Sequence, residues 1–263
     1  MIDTLSDFNA LITGASDGLG LAMAGALLRN GATVALAARP SNKLDKAVDG
    51  LRRKGLGAFA VPMDVRSEHS IDKAVTWVKE HWGRIDMLVN NAGLLMQRVN
   101  PRFISDPKPF FEIEPDGFRD VVNTNFTGYF LVARGFAPMM IAQGKGCIVN
   151  ISTSYSTMTK KGFAPYGPSR AGSEALSNIM SVDLKEYGIT VNVLLPGGPV
   201  DKGHFSKEAG EISRLPIKLL PLDIMDEPIL FLASPLAEGM TGERIIASEF
   251  HEWLKAKGIQ MEK

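Results

Sequence analysis

Short apolar runs and helix-spaced apolar residues alternate along most of the chain. Residues 9–14 (NALITG) predict a first strand, after which Leu19, Met23, Ala26 and Leu27 recur at helical spacing. Residues 33–38 (TVALAA) predict a second strand, and Leu44, Ala47, Val48 and Leu51 a helix that stops at Gly55. Residues 58–65 predict a third strand, followed by a helix marked by Ile71, Ala74, Val75 and Val78. Residues 87–93 (MLVNNAG) read as a fourth strand and its turn, residues 115–142 as one long helix, and residues 147–152 as a fifth strand. A helix over 166–187, a sixth strand over 190–198 and a seventh within 244–248 complete the pattern. The strands are continuous apolar runs, as a sheet covered on both faces requires. Alternation with helices implies right-handed crossovers and a doubly wound parallel α/β sheet of the Rossmann type, in a single domain over residues 1–263. Ligands bind such sheets outside the carboxyl ends of the strands. Two segments break the rhythm: 94–114, with Pro101, Pro107 and Pro109, and 197–226, rich in Gly and Pro, which is expected to be a substrate loop.

Composition narrows the function classes. Lys plus Arg equal Asp plus Glu at 29 each, so no nucleic-acid or acidic-membrane partner is indicated. No run reaches the ~20 apolar residues of a membrane span, and no signal peptide is evident. One cysteine, Cys147 in an apolar run, is expected to be an inert buried thiol, and a cytoplasmic location follows. His69, His81, His204 and His251 have no metal-ligand spacing, so no metal is expected. Trp77 and Trp82 are expected to pack, and Asn150 to be structural.

Two stretches carry candidate chemistry. TGASDGLG, 13–20, lies between the first strand and the first helix. Its Gly14, Gly18 and Gly20 permit a tight turn and close approach, and the helix start offers free N–H groups to a pyrophosphate. In PYGPSR, 165–170, Tyr166 and Arg170 stand about one helical turn apart. A cation beside a phenol favours the phenolate, which suits tyrosine to acid/base work.

With these motifs stand DV at 64–65, NNAG at 90–93, NTNFTG at 123–128, IVNIS at 148–152 and PGG at 196–198. In that order and at those distances they resemble the short-chain dehydrogenase/reductase family, in its common branch of roughly this length, over essentially the whole chain. The resemblance implies a nicotinamide cofactor, a small-molecule carbonyl or alcohol substrate, and a homotetramer or homodimer. It implies that Ser16, Leu19, Pro196 and Gly197 join the glycines around the cofactor, that Asp64 and Val65 meet the adenine, and that Asn91, Ala92 and Gly93 lie along a ribose. Tyr166 matches the catalytic acid/base, and Asn125 an asparagine that holds a helix kink and a relay water. For the substrate hydroxyl, the family spacing lands on Thr153; Ser154 is favoured with Ser152 next.

Cofactor choice rests on the end of the second strand. Where NAD-preferring relatives carry an acid, this chain has Ala38 and then Arg39, which suits a 2′-phosphate. Ser16 and Lys43 could assist, while Asp17 argues the other way; NADP is expected, with NAD the alternative. The family's lysine is here Arg170, which keeps the charge and the contact to tyrosine and ribose but cannot readily give up a proton. The threonine expected after Pro-Gly is also missing, with Val200, Asp201 and Lys202 its nearest equivalents. His204 and Phe205 are further candidates for substrate contact, with a solvated loop the favoured reading for His204. The expected function is an NADP(H)-dependent reductase/dehydrogenase; the alternative is a catalytically weak or silent nucleotide-binding relative.

Overall fold

A computed structural model describes residues 5–200 and 219–260. Each inner strand alternates its side chains between two cores. In β5 (Gly146–Ile151), Cys147, Val149 and Ile151 enter one core and Ile148 the other. In β1 (Asn9–Thr13), Ala10 and Ile12 face one side and Leu11 the opposite side. That period of two explains why the strands read as unbroken apolar runs.

The strands pair in parallel in the order β3-β2-β1-β4-β5-β6-β7. The others are β2 (Thr33–Ala38), β3 (Ala58–Pro62), β4 (Met87–Asn90), β6 (Ile189–Leu195) and β7 (Arg244–Ile246). One face carries α1 (Gly18–Arg29) and α2 (Asn42–Arg52), through residues such as Met23, Leu27, Leu44 and Val48. The other carries α3 (Glu68–His81), through Ile71, Ala74 and Val78. Because the chain runs outward from β1 to β3 and then returns to place β4 on the other side of β1, a crevice opens at the carboxyl ends of β1 and β4. Cys147 is buried in this sheet, and burial pushes its thiol up to about 11.

The expected long helix is divided. α4 (Pro115–Val122) passes into a π-helical turn, Asn123–Thr127, before α5 (Gly128–Gln143) continues. The buried Asn125 side chain accepts from Leu94 N at 2.7 Å and donates to Leu94 O at 2.9 Å. The widened turn holds Asn125 against the chain leaving β4. β3 ends at Pro62 rather than residue 65: Met63 N makes the last ladder bond, to Ala38 O, and Asp64 N donates instead to the Ser70 hydroxyl of α3. Sequence periodicity did not identify α8 (Asp226–Ala233) or α9 (Phe250–Lys257), which complete the α1 face through Ile229, Phe231, Phe250 and Leu254. Of the expected substrate loop, residues 201–218, with Asp201, Lys202, His204 and Phe205, lie outside the described residues. The flanks of that segment meet in a bridge between Val200 and Leu220.

Candidate active site

The crevice at the switch point is a cleft of about 310 Å³. One wall is the turn after β1. Gly14 takes φ +66° and Gly18 φ +57°, both in the left-handed region that favours glycine. A Cβ on Gly14 would stand 2.7 Å from Ala92 Cα, so glycine is required for the loop to seat on the turn after β4. The two turns are tied together by Thr13. Its fully buried hydroxyl accepts from Asn91 N and Ala92 N at 2.9 Å each and reaches Val89 O at 3.3 Å. Asn91 Nδ2 donates back to Thr13 O at 2.8 Å.

Of the residues expected around a cofactor, Gly14, Ser16, Leu19, Arg39, Asp64, Val65, Asn91, Ala92 and Gly93 line this cleft, joined by Asp17, Lys43 and Arg66. Gly18, Gly20, Tyr166, Arg170, Pro196 and Gly197 are not on its wall. Gly20 lies beneath the loop, where a Cβ would meet Gly14 O at 2.7 Å. Pro196 follows β6 and accepts at its carbonyl from Ser248 N at 3.1 Å, and Gly197 turns at φ +93°.

The far end of the cleft is charged. Ala38 closes β2 with no acid, and the exposed Arg39 follows. Lys43 pairs with Asp17 at the rim. Arg66 grips the Asp64 carboxylate with Nε at 3.0 Å and Nη2 at 2.8 Å, while its backbone N–H also donates to Asp64 at 3.0 Å. The side-chain hydrogen bond from Arg66 is the main reason the Asp64 carboxyl is held below its ordinary value, against the opposing effect of burial.

At the other end, α7 (Tyr166–Asp183) begins with the half-buried Tyr166 and carries the buried Arg170 one turn later. Arg170 Cζ lies 5.4 Å from the Tyr166 ring centroid and 5.4 Å from that of Tyr129. Its Nη1 donates to Tyr129 Oη at 2.7 Å and to Ile151 O at 2.8 Å. Its Nη2 packs against Gly93 closely enough that a methyl group there would collide, which joins Arg170 to the cleft wall. Burial opposes the Arg170 charge, but the Tyr129 and Tyr166 hydroxyls outweigh it and the pKa moves upward, so the side chain remains a cation. Burial raises the Tyr129 pKa, with Arg170 pulling the other way.

Asn125 connects these parts. Its Nδ2 also donates to Ser169 Oγ at 3.3 Å, and Ser169 Oγ donates to Tyr166 O at 2.7 Å. The Asn125 carbonyl, at the π-turn, accepts from Ser173 Oγ at 2.7 Å.

The hydroxyl run follows β5. Ser154 caps the short helix α6 (Tyr155–Met158) and accepts from Thr157 N at 3.3 Å. Ser152 Oγ is buried with no hydrogen-bond partner among the described residues. The half-buried Thr153 side chain makes no hydrogen bond among them either, while its carbonyl accepts from Arg244 Nη2 at 2.9 Å. Arg244 also pairs with the buried Glu174 of α7 at 3.0 Å and stacks over the Tyr155 ring at 3.8 Å. Sequence reasoning missed Thr13, Arg66, Tyr129, Glu174 and Arg244. Arg66 and Tyr129 sit inside or beside quoted motifs, so their types alone could have flagged them. Arg244 and Glu174 meet across 70 residues and leave no local signal.

Residues 9–208 match the family model described as short chain dehydrogenase. Gluconate 5-dehydrogenase of Gluconobacter oxydans (strain 621H) is 34% identical over 194 residues, which is 74% of this chain and 72% of that protein. The 3-oxoacyl-[acyl-carrier-protein] reductase of Staphylococcus epidermidis (strain ATCC 12228 / FDA PCI 1200) is 29% identical over 243 residues, covering 90% of this chain and 96% of that one. The crystal structure of a gluconate 5-dehydrogenase from Burkholderia cenocepacia J2315, in complex with NADP and tartrate, superposes with TM-score 0.79 at 28% identity, covering 95% of this chain and 98% of that one.

Proposed function

Because this chain belongs to the short-chain dehydrogenase family, we propose that it is an NADP(H)-dependent enzyme that interconverts a ketone and a secondary alcohol through Tyr166. At the coarser level the chain is an oxidoreductase of NAD(P)-binding Rossmann type, acting on CH–OH or keto groups. One observation carries the finer reading. The buried Arg170 cation lies over the Tyr166 ring and touches Gly93 of the cleft wall, so acid/base group and cofactor cleft meet at one charge.

The residues present fit a dinucleotide. Glycine is sterically required where the two turns close on the cleft, and the N-terminus of α1 adjoins the same wall. Arg39, with Ser16 and Lys43, supports a 2′-phosphate at the end of β2, and the solved relative in complex with NADP supports the same preference; NAD is the alternative. A bound nicotinamide supplies or takes the hydride. In the reducing direction Tyr166 gives its proton to the carbonyl oxygen, and Arg170 balances the negative charge left on the phenol oxygen. The hydroxyl run orients that oxygen: among the described residues the Ser152 hydroxyl has no hydrogen-bond partner, Thr153 lies beside it, and Ser154 would give up its cap to take part. Asn125 holds the chain after β4 against the first turn of α7, through Leu94 and Ser169.

A homo-oligomer, dimer or tetramer, is part of this reading. Phe118 on α4, Phe130 on α5, and Ile179 and Val182 on α7 are exposed, Val182 at 74%, and would be covered by a second copy. Among the described residues no helix is long and apolar enough to cross a membrane. The test is NADPH and NADH oxidation against polyhydroxy keto acids, 3-oxoacyl thioesters, diketones and cyclic ketones. Turnover with at least one class, faster with NADPH, is expected. Silence across the panel, with activity appearing only in Arg170→Lys, would favour a binding role without catalysis.

A further inference from the structure

We propose that Tyr129 is the positioning residue that makes arginine workable at position 170, and that the two side chains act as one unit. The inference deepens the reading of Arg170 above and rests on it. Tyr129 is 2% exposed and Arg170 4%. Arg170 Nη1 donates to Tyr129 Oη and to Ile151 O, while Tyr129 Oη donates to Ile151 O at 3.2 Å. The three groups close a ring of hydrogen bonds that uses both Nη1 protons and both functions of the phenol.

A guanidinium is planar, so fixing one nitrogen at two points fixes the plane. The rest of the fork is then aimed. Nη2 is set against Gly93 of the cleft wall, and Nε is buried with no hydrogen-bond partner among the described residues. An unpaired buried donor on a cation is costly, and it is tolerated where a ligand supplies the acceptor. Tyr129 therefore holds the inner end of the fork in the core so that the outer donors stay turned to an oxygen of the bound ligand. An ammonium has no plane to lock, so a hydrogen bond to the Tyr129 hydroxyl would not aim a lysine's other donors as it aims a guanidinium's.

The phenol is also placed by sequence. It stands four residues after Asn125, at the start of α5 just past the π-turn, and its own carbonyl accepts from Asn90 Nδ2 at 3.4 Å. The end of β4, the end of β5 and Arg170 of α7 thus meet at this one residue, β4 at its carbonyl and the other two at its hydroxyl.

The test is a double-mutant cycle of Tyr129→Phe and Arg170→Lys. It reads NADPH dissociation constants by fluorescence titration, kcat and KM on any active substrate, and melting temperature without ligand. Tyr129→Phe is expected to weaken NADPH about tenfold in the parent and less than about twofold in the Arg170→Lys background. Equal losses in both backgrounds would reduce Tyr129 to a core residue and overturn the inference while leaving the function reading intact. Absence of NADPH binding in every member of the cycle would overturn the function reading and this inference with it.

Discussion

Thr13→Val removes one oxygen and nearly nothing else. Valine keeps the β-branch and the volume, so the fully buried site should gain no large cavity. The change leaves Asn91 N–H and Ala92 N–H, each bonded to Oγ1 at 2.9 Å, without an acceptor. A buried donor left unsatisfied costs about 1–3 kcal/mol, so the pair should cost about 2–6 kcal/mol. For a chain of this size that corresponds to a fall of about 5–15 °C in melting temperature. The same substitution loosens the seat of the glycine turn on the turn after β4, so NADPH affinity should drop as well. Thr13→Ser keeps the oxygen and should stay within about 1 kcal/mol of the parent. Urea or thermal denaturation of the three proteins, with NADPH titration, decides the matter. A Thr13→Val protein within about 0.5 kcal/mol of the parent would refute the role given to this hydroxyl.

Arg39→Asp should lower the preference for NADPH over NADH by about 10–100-fold in kcat/KM, because a carboxylate repels the phosphate that a guanidinium binds; an unchanged ratio would mean Arg39 is only a solvated side chain. Arg244→Met should cost about 10–100-fold in kcat with the NADPH KM nearly unchanged, since it frees the Thr153 carbonyl and the ring of Tyr155. The same variant strands the buried Glu174, so Arg244→Met with Glu174→Met should be more stable than Arg244→Met alone by thermal denaturation.

Much of the scaffold is legible in the amino-acid order because its causes are local. Strands buried on both faces must be apolar throughout, and the sheet order places Gly14 beside Ala92, which requires the glycine that the motif shows. Boundaries were less legible where a tertiary bond decides them. The break at Asn123–Thr127 depends on Asn125 reaching Leu94, and no period of apolar residues encodes that. The supports of the site are less legible still. Thr13 acts across 78 residues and Tyr129 across 41, and a threonine ending a strand or an aromatic residue in a helix reads as ordinary packing. Arg170 was visible as a departure from lysine, but its inward direction was not, because that direction is set by the Ile151 carbonyl and the Tyr129 phenol.

We propose above that Tyr166 moves the proton beside an arginine. It is tested most directly by comparing Tyr166→Phe with the parent in NADPH-linked turnover of the best substrate, with NADPH binding measured on both. A loss of about 10²–10⁴ in kcat is expected, with the NADPH dissociation constant within about twofold. A Tyr166→Phe protein that turns over within a factor of about three of the parent would contradict it.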